Sequence, residues 1–328
     1  MNRITRRAAL ALPALLAAPA LRAQAPLDAP WPTRPVRLIV PFPGGGLVDS
    51  FARPYGARLQ QAFGQPAVVE NRVGAGGNIG ADLVAKSPAD GHTLLFGSIG
   101  PMVVNEFLFP SLPFNPRRDF APISLIVNTP KVLCVSNHRP WRGVAEVVAA
   151  AKADPGRLTG GSAGNGSSLH LALELFNGAE GIRVTHVPYR GAQQAVLDLI
   201  AGRLDLIIDN VPNIIGQIRG GEVRPLAVMT EQRLPLLPDV PTFREAGVSP
   251  LVFGAWFCLV APAGTPAPIV ERLSGLMDQM LADPEVGGRF AAQGSQIGGG
   301  GPQRLASLIE TTRAQLEPVI RGNNIRAE

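Results

Sequence analysis

Val36-Arg-Leu-Ile-Val-Pro-Phe-Pro-Gly-Gly-Gly46 is a short apolar run, rich in β-branched residues, that ends in three glycines. Such a run predicts a buried strand over 36–42 that stops in a tight loop. Phe51, Leu59 and Phe63 then recur at helical spacing, so a helix is expected over 49–63. Pro54 falls inside it and predicts a kink or a late start. Strands over 67–70 and 93–97 and a helix from the glycine-rich Gly74-Ala-Gly-Gly-Asn-Ile-Gly80 to Lys86 complete a β-α-β-α-β order. Strands alternating with helices are the pattern of an α/β layer with parallel strands.

The rest of the chain repeats this logic without repeating its sequence. Two strands, 123–127 and 131–135, are expected on either side of Asn-Thr-Pro130. Helices at 144–153, 168–177 and 192–201 alternate with strands at 158–162, 184–187, 204–209 and 223–229. Phe253 to Val260 reads as another buried strand. The helix expected over 269–281 has Ile269, Leu273, Leu276, Met277 and Met280 on one face, and a last helix covers 304–320. Two α/β lobes follow, residues 30–126 with 232–328 in one and 127–231 in the other. A cleft between lobes is a common place for a ligand.

Composition narrows the class further. Of 328 residues, 46% are hydrophobic and 17% charged, which excludes a disordered chain. The net charge of +5 owes four charges to Arg3, Arg6, Arg7 and Arg22. Without them 26 basic residues face 25 acidic ones, and no basic stripe remains for nucleic acid. Those arginines belong to residues 1–25, which read as an export signal: a basic start, an Ala/Leu-rich run from Ala8 to Leu21, and Ala23-Gln-Ala25 as cleavage site. Either the general secretory or the twin-arginine route fits, and a periplasmic location is expected. The uncharged stretch 250–270 carries four prolines and is not read as a membrane span. Cys134 and Cys258 sit in apolar runs and read as buried thiols, although an oxidising compartment permits a bridge. No CxxC, HExxH or Cys/His cluster occurs, so neither metal nor cofactor is expected.

Two glycine turns carry the chemistry. Pro41-Phe-Pro-Gly-Gly-Gly46 and Ser162-Ala-Gly-Asn-Gly-Ser167 each join a strand end to a helix start and contain no Lys or Arg. A helix start offers unpaired N–H groups and partial positive charge, and glycine admits a ligand close to the backbone. Facing each other across a cleft, the two turns can hold a small carboxylate. Ordinary tight turns need the same residues. Asp49 is read as a helix cap or a partner for a ligand hydroxyl or ammonium group, and His170 as a helix-end residue or ligand contact. Asp209-Asn210 ends a strand, and Arg190 is either an anion partner or a solvated side chain. His92 and His138 read as loop surface. Gly160-Gly-Ser-Ala-Gly164 also matches the nucleophile pattern G-x-S-x-G. Its acid and base would be Glu174 or Glu180 and His170 or His186, all inside one strand–helix–strand unit, which leaves no separate loops to converge on Ser162. The phosphate-loop patterns fail: Ile79 stands where the third glycine is needed.

Taken together, the chain resembles the Bug-type receptors of tripartite tricarboxylate transport systems. The resemblance rests on Arg37–Gly46 with Asp49, Val69-Glu-Asn-Arg72, Gly74–Gly80, Asp90-Gly91, Asp119-Phe-Ala-Pro122 and Ser162–Ser167 with His170. It continues through His186-Val-Pro-Tyr-Arg-Gly191, Asp209-Asn210, Pro238-Asp-Val-Pro-Thr242, Glu245-Ala-Gly247, Ala261–Pro266 and Asp283-Pro-Glu-Val286. It implies a two-lobed periplasmic-binding-protein fold, α/β, that closes on a small carboxylate and delivers it to membrane permease subunits, as a monomer and without catalysis. By matching motif the cradle residues are Phe42, Gly44, Gly45, Gly46 and Asp49, faced by Ala163, Gly164, Ser167, His170 and Asp209. Ser98 and Ile99 join them at the end of the third strand. Leu47 and Val48 replace the small or hydroxyl residues usual in the family, so a less polar wall is expected there. That favours a ligand with an apolar or aromatic part over a citrate-like one. An exported serine esterase using Ser162 is the competing reading.

Overall fold

The structure, a computed structural model, describes residues 31–326 apart from Gly46 and Arg190; of Leu47 only the backbone is described. The export signal and its cleavage site therefore lie outside the described residues.

Strand β1 (Val36–Val40) sits between β2 (Ala67–Asn71) and β3 (Thr93–Ser98) and is parallel to both. Side chains alternate across a strand, and both faces are covered here. Leu38, Val40, Leu94 and Phe96 pack into one core under α1 (Leu47–Phe63). Ile39 and Leu95 pack into a second, on the side of α2 (Asn78–Ala85). Helix α1 runs from Leu47 unbroken through Pro54, so neither the kink nor the late start expected there occurs. Tyr55, one residue on, is fully buried and donates to Leu273 O at 2.9 Å. Phe51, fully buried, stacks on Phe290 at 3.6 Å, so packing on both sides of the proline holds the helix in line.

After β3 a helical segment over 100–108 ends in the short α3 (Asn105–Leu108). The chain then enters β4 (Phe120–Ser136). Two strands were expected here; the structure has one. Phe120 to Pro130 pairs with β9 (Gly254–Pro262), which also pairs with β3. Lys131 to Val135 pairs with β7 (Leu206–Asn210). Pro130 falls where the strand changes partners, so its missing N–H interrupts neither ladder. One strand thus belongs to two sheets, and a two-lobed α/β fold results. The lobe boundaries expected at 126/127 and 231/232 lie near the partner change and in the connection from β8 to β9.

The second sheet contains α4 (Val144–Ala153), β5 (Thr159–Ser162), α5 (Ser168–Glu180), β6 (Thr185–Pro188) and α6 (Ala192–Ile200) around it. Strand β5 lies parallel between β6 and β7. Helix α7 (Val211–Arg219) follows β7 and β8 (Val223–Val228) adds to β4. No helix was expected between 209 and 223. Pro212 near its start and buried Ile214 are the signals that mark one. The chain returns to the first lobe with β9, α8 (Ala267–Ala282), α9 (Arg289–Ala292), β10 (Gln296–Ile297) and α10 (Gly301–Gly322). Ile269, Leu273, Leu276, Met277 and Met280 of α8 are all buried in the core they share with α1. Cys134 and Cys258 are free, buried thiols on β4 and β9. His92, expected at the surface, is buried: Thr33 N–H donates to its Nε2 at 3.2 Å and Trp31 packs against the ring. Among the described residues no helix is long and apolar enough to cross a membrane.

Candidate functional site

The parallel strands β1, β3, β5 and β7 all end on one cavity of about 570 Å³ between the two sheets. The carboxyl ends of parallel strands are where α/β folds bind ligands, and the volume is that of a small-molecule site. Phe42 follows β1, Ser98 and Ile99 end β3, Ala163 and Gly164 follow β5, and Asn210 ends β7. Ser167 and Ser168 at the start of α5, Asn210 before α7 and Gly100 at the start of the 100–108 segment bring three helix starts to its wall. Apolar wall comes from Val104, Leu108, Phe109, Leu171, Ala255 and Phe257. No charged side chain appears among its described lining residues. A larger cavity of about 660 Å³ lies elsewhere, lined by Asn128, 229–236, Val252, Phe253, Ala291 and 294–296, and none of its lining residues begins a helix.

The β5–α5 turn is built for close approach. Gly164 and Gly166 have φ of +115° and +70°, a left-handed region that other residues seldom adopt. A Cβ on Gly166 would press on Leu108 Cδ1 of the other lobe. Ser167 caps α5 by accepting from His170 N–H at 3.3 Å, and Gly166 N–H donates to His170 Nδ1 at 3.1 Å. The His170 ring stacks on His186 at 3.7 Å, so His170 supports the turn from behind and does not line the cavity. Burial and the neighbouring His186 lower its pKa to about 4, which keeps Nδ1 free to accept.

The β1–α1 turn differs from expectation. Asp49 is buried, and its carboxylate accepts from Gly45 N–H at 3.0 Å, Asn71 Nδ2 at 3.1 Å and Arg53 Nε at 2.7 Å. Burial would raise its pKa, but these hydrogen bonds hold it below the usual range. Asn71 also donates to Phe42 O at 3.0 Å. Asp49 therefore fixes the turn and is not among the cavity-lining residues. Gly44 and Gly45 lie outside the cavity wall, and Gly46 and the Leu47 side chain lie outside the described residues. Val48 packs into the α1 core and does not line the cavity. Asp209 is fully buried and turned toward α7: its Oδ1 accepts from Asn210 N–H at 2.6 Å and Asn213 Nδ2 at 3.1 Å. Arg190 is not described.

Two parts of the site escaped the sequence reading. Gly76, from the third glycine turn, lines the cavity, and Asn105 Nδ2 donates to its carbonyl at 3.2 Å. Lys131 is fully buried behind the wall, where its Nζ donates to Asn210 Oδ1 at 2.8 Å and Ser168 Oγ at 3.1 Å. A lone lysine opening the apolar run Val132–Val135 was the available signal. Ser162 and His186 meet, with Oγ to Nε2 at 2.6 Å. Ser162 is fully buried, accepts from Gly164 N–H at 3.1 Å and does not line the cavity. Glu174 lies 3.7 Å from His170 Nε2, on the far side of the stacked pair.

An interlobe cavity at strand carboxyl ends, on a fold whose central strand serves both lobes, defines a two-lobed solute-binding protein. Residues 51–325 match the model of the tripartite tricarboxylate transporter family receptor, and the chain belongs to that family. A protein encoded in the tcbD–tcbE intergenic region of Pseudomonas sp. (strain P51) is 41% identical over 295 residues, 90% of this chain and 87% of that protein. Protein BugT of Bordetella pertussis is 39% identical over 266 residues, 81% of this chain and 82% of that one. The solved structure of R. palustris Rpa4515 with adipate superposes with a TM-score of 0.76 at 38% identity, covering 90% of this chain and 99% of that one.

Proposed function

We propose that this chain is an extracytoplasmic receptor that takes a small carboxylate with an apolar body into the interlobe cavity and delivers it to membrane permease subunits. The observation that carries this reading is the convergence of three helix starts on a wall that is otherwise apolar and, among described residues, uncharged. Such a wall offers N–H groups to a carboxylate and hydrocarbon to the rest of the ligand. Adipate in the Rpa4515 structure is a ligand of that chemistry. Ser98, Ala163, Gly164, Ser167 and Ser168 supply the polar contacts. Phe42, Ile99, Leu108 and Phe257 supply the apolar ones. Closure rotates the lobes about the β4 crossing near Pro130 and the return connection before Gly254.

A thermal-shift and calorimetric screen against straight-chain C4–C8 mono- and dicarboxylates, aromatic carboxylates and citrate tests the reading. Ligand at about 100 times its Kd should stabilise the protein by roughly 2.7 kcal/mol. Citrate as the only binder would refute the apolar-body expectation, and a flat screen after refolding from denaturant would refute the receptor. Cell fractionation and N-terminal sequencing of the exported protein test cleavage after Ala25.

The Ser162–His186 contact favours one second reading, an esterase. Its prediction is ester turnover that Ser162→Ala abolishes. The receptor reading predicts no turnover and a Ser162→Ala variant that still binds carboxylate.

A further inference from the structure

Lys131 is the first β4 residue to pair with β7 and stands opposite Asn210, so the two side chains share one face of the sheet. A wholly buried ammonium loses its hydration and needs an anion to replace it. Here it has two neutral acceptors, Asn210 Oδ1 at 2.8 Å and Ser168 Oγ at 3.1 Å, and the Phe253 ring centroid at 5.7 Å. Asp209 stands opposite Val132, on the other face, and its hydrogen bonds run to Asn210 N–H and Asn213. The ammonium is therefore without a bonded counter-ion.

Both neutral acceptors line the cavity. Ser168 opens α5 and Asn210 precedes α7, so the lysine stands one side chain behind the wall where two helix starts meet. With Nζ donating to Ser168 Oγ, the hydroxyl proton of Ser168 is free to point at a ligand. A carboxylate accepting that proton gains the field of a buried cation; an amide or alcohol in the same place gains little.

We propose that Lys131 is the specificity-determining residue of the cleft: acting through Ser168, it fixes a ligand carboxylate at the α5 end and rejects isosteric neutral solutes. This rests on the carboxylate-receptor reading and deepens it. Burial lowers the lysine to about 7, against the opposing pull of Asp209. It is thus partly uncharged at neutral pH in the empty site, and an arriving carboxylate makes it take up a proton. Burial raises Asp209 and Glu174 and lowers the two histidines near the α5 start. His170 is held to about 4, and burial also pushes His186 below its ordinary value.

Calorimetric titration of the wild type, Lys131→Met and Lys131→Gln with straight-chain C4–C8 mono- and dicarboxylates and their amides decides the matter. It should be run from pH 6 to pH 9, and at pH 7.5 in phosphate and in Tris. The wild type should bind carboxylates and not the amides, lose at least about tenfold in affinity from pH 6 to 9, and take up a fraction of a proton at pH 7.5. Both variants should lose roughly tenfold to hundredfold in affinity and both pH signatures. Lys131→Gln keeps a donor for Asn210 and Ser168 without the charge. Its binding like the wild type would overturn the proposal, as would a wild-type affinity that is flat with pH. Should the variants not fold, the wild-type pH slope and proton uptake decide alone. Absence of wild-type binding to any carboxylate would overturn the receptor reading and this inference together.

Discussion

Replacing Arg313 by Met should cost about 2–3 kcal/mol of stability. Arg313 lies on α10, is 3% exposed, and ties that helix to the 100–108 segment. Its Nε donates to Glu106 Oε1 at 2.6 Å, Nη1 pairs with Glu310, and Nη2 donates to Met102 O at 3.3 Å. Removing one member of a fully buried pair costs about 3–5 kcal/mol, because the other charge is stranded. Here the loss is smaller, since Glu106 keeps Arg117 at 2.8 Å and Glu310 is solvated. At roughly 2 °C per kcal/mol for a chain of this length, the melting temperature should fall by about 4–6 °C. Glu106 belongs to α3, which also carries Leu108 of the cavity wall, so carboxylate affinity should fall as well. Calorimetry and urea titration of Arg313→Met, Glu106→Met and the double variant test this, with the double variant recovering at least 1 kcal/mol of the summed losses. A melting temperature for Arg313→Met within 1 °C of wild type would refute the reasoning, as would strict additivity of the two changes.

Three further outcomes are expected. Hydrogen bonding by Arg37, joined by Arg72 and opposed by burial, pulls Glu70 down to about 2. Because its pKa is lowered on folding, that stability is complete above about pH 4.5 and is lost as pH falls toward 2. The urea midpoint of wild type should drop over that window more than that of Glu70→Gln, and parallel curves would count against the ion pair. Cys134 and Cys258 are buried thiols whose pKa burial pushes up, so neither should react with Ellman's reagent until the protein unfolds; labelling of the native state would contradict the core packing. Gly166→Ala and Gly181→Ala both place a side chain at left-handed φ, at about 1–2 kcal/mol each, but only Gly166 would also press on Leu108. Gly166→Ala should therefore destabilise more and weaken carboxylate binding, while Gly181→Ala leaves binding unchanged. Equal effects would argue against a contact between lobes at that point.

Much of the fold was legible because short-range pattern carried it. The alternation Leu38-Ile-Val40 places neighbours in opposite cores, and the glycines at 164 and 166 mark a turn that needs positive φ. Part of what was missed depended on partners distant in sequence. Pro130 reads as a break until β9 and β7 are seen to share one strand. Asp49 and Asp209 sit beside glycine turns or strand ends, as ligand contacts do, and the pattern alone does not show that Asn71, Arg53 and Asn213 hydrogen-bond their carboxylates. His92 is drawn inside by Trp31 and by Thr33, which is 59 positions earlier in sequence but adjacent in space. Lys131 looked like the polar edge of a strand, and only its burial against Ser168 and Asn210 reveals its place.

The β4 crossing also governs the order in which the molecule can assemble. Leu95 on β3 must find Val260 on β9, and the entire second sheet lies in the loop that this pairing closes. Closing so large a loop early costs chain entropy, whereas a second lobe already compact brings its two ends together. The nascent first lobe, with β1 to β3 laid down, lacks the strand that joins β3 to β4 until the whole second sheet has been made. Refolding should therefore be sequential, with the inserted lobe first and the lobe holding both ends of the described chain last.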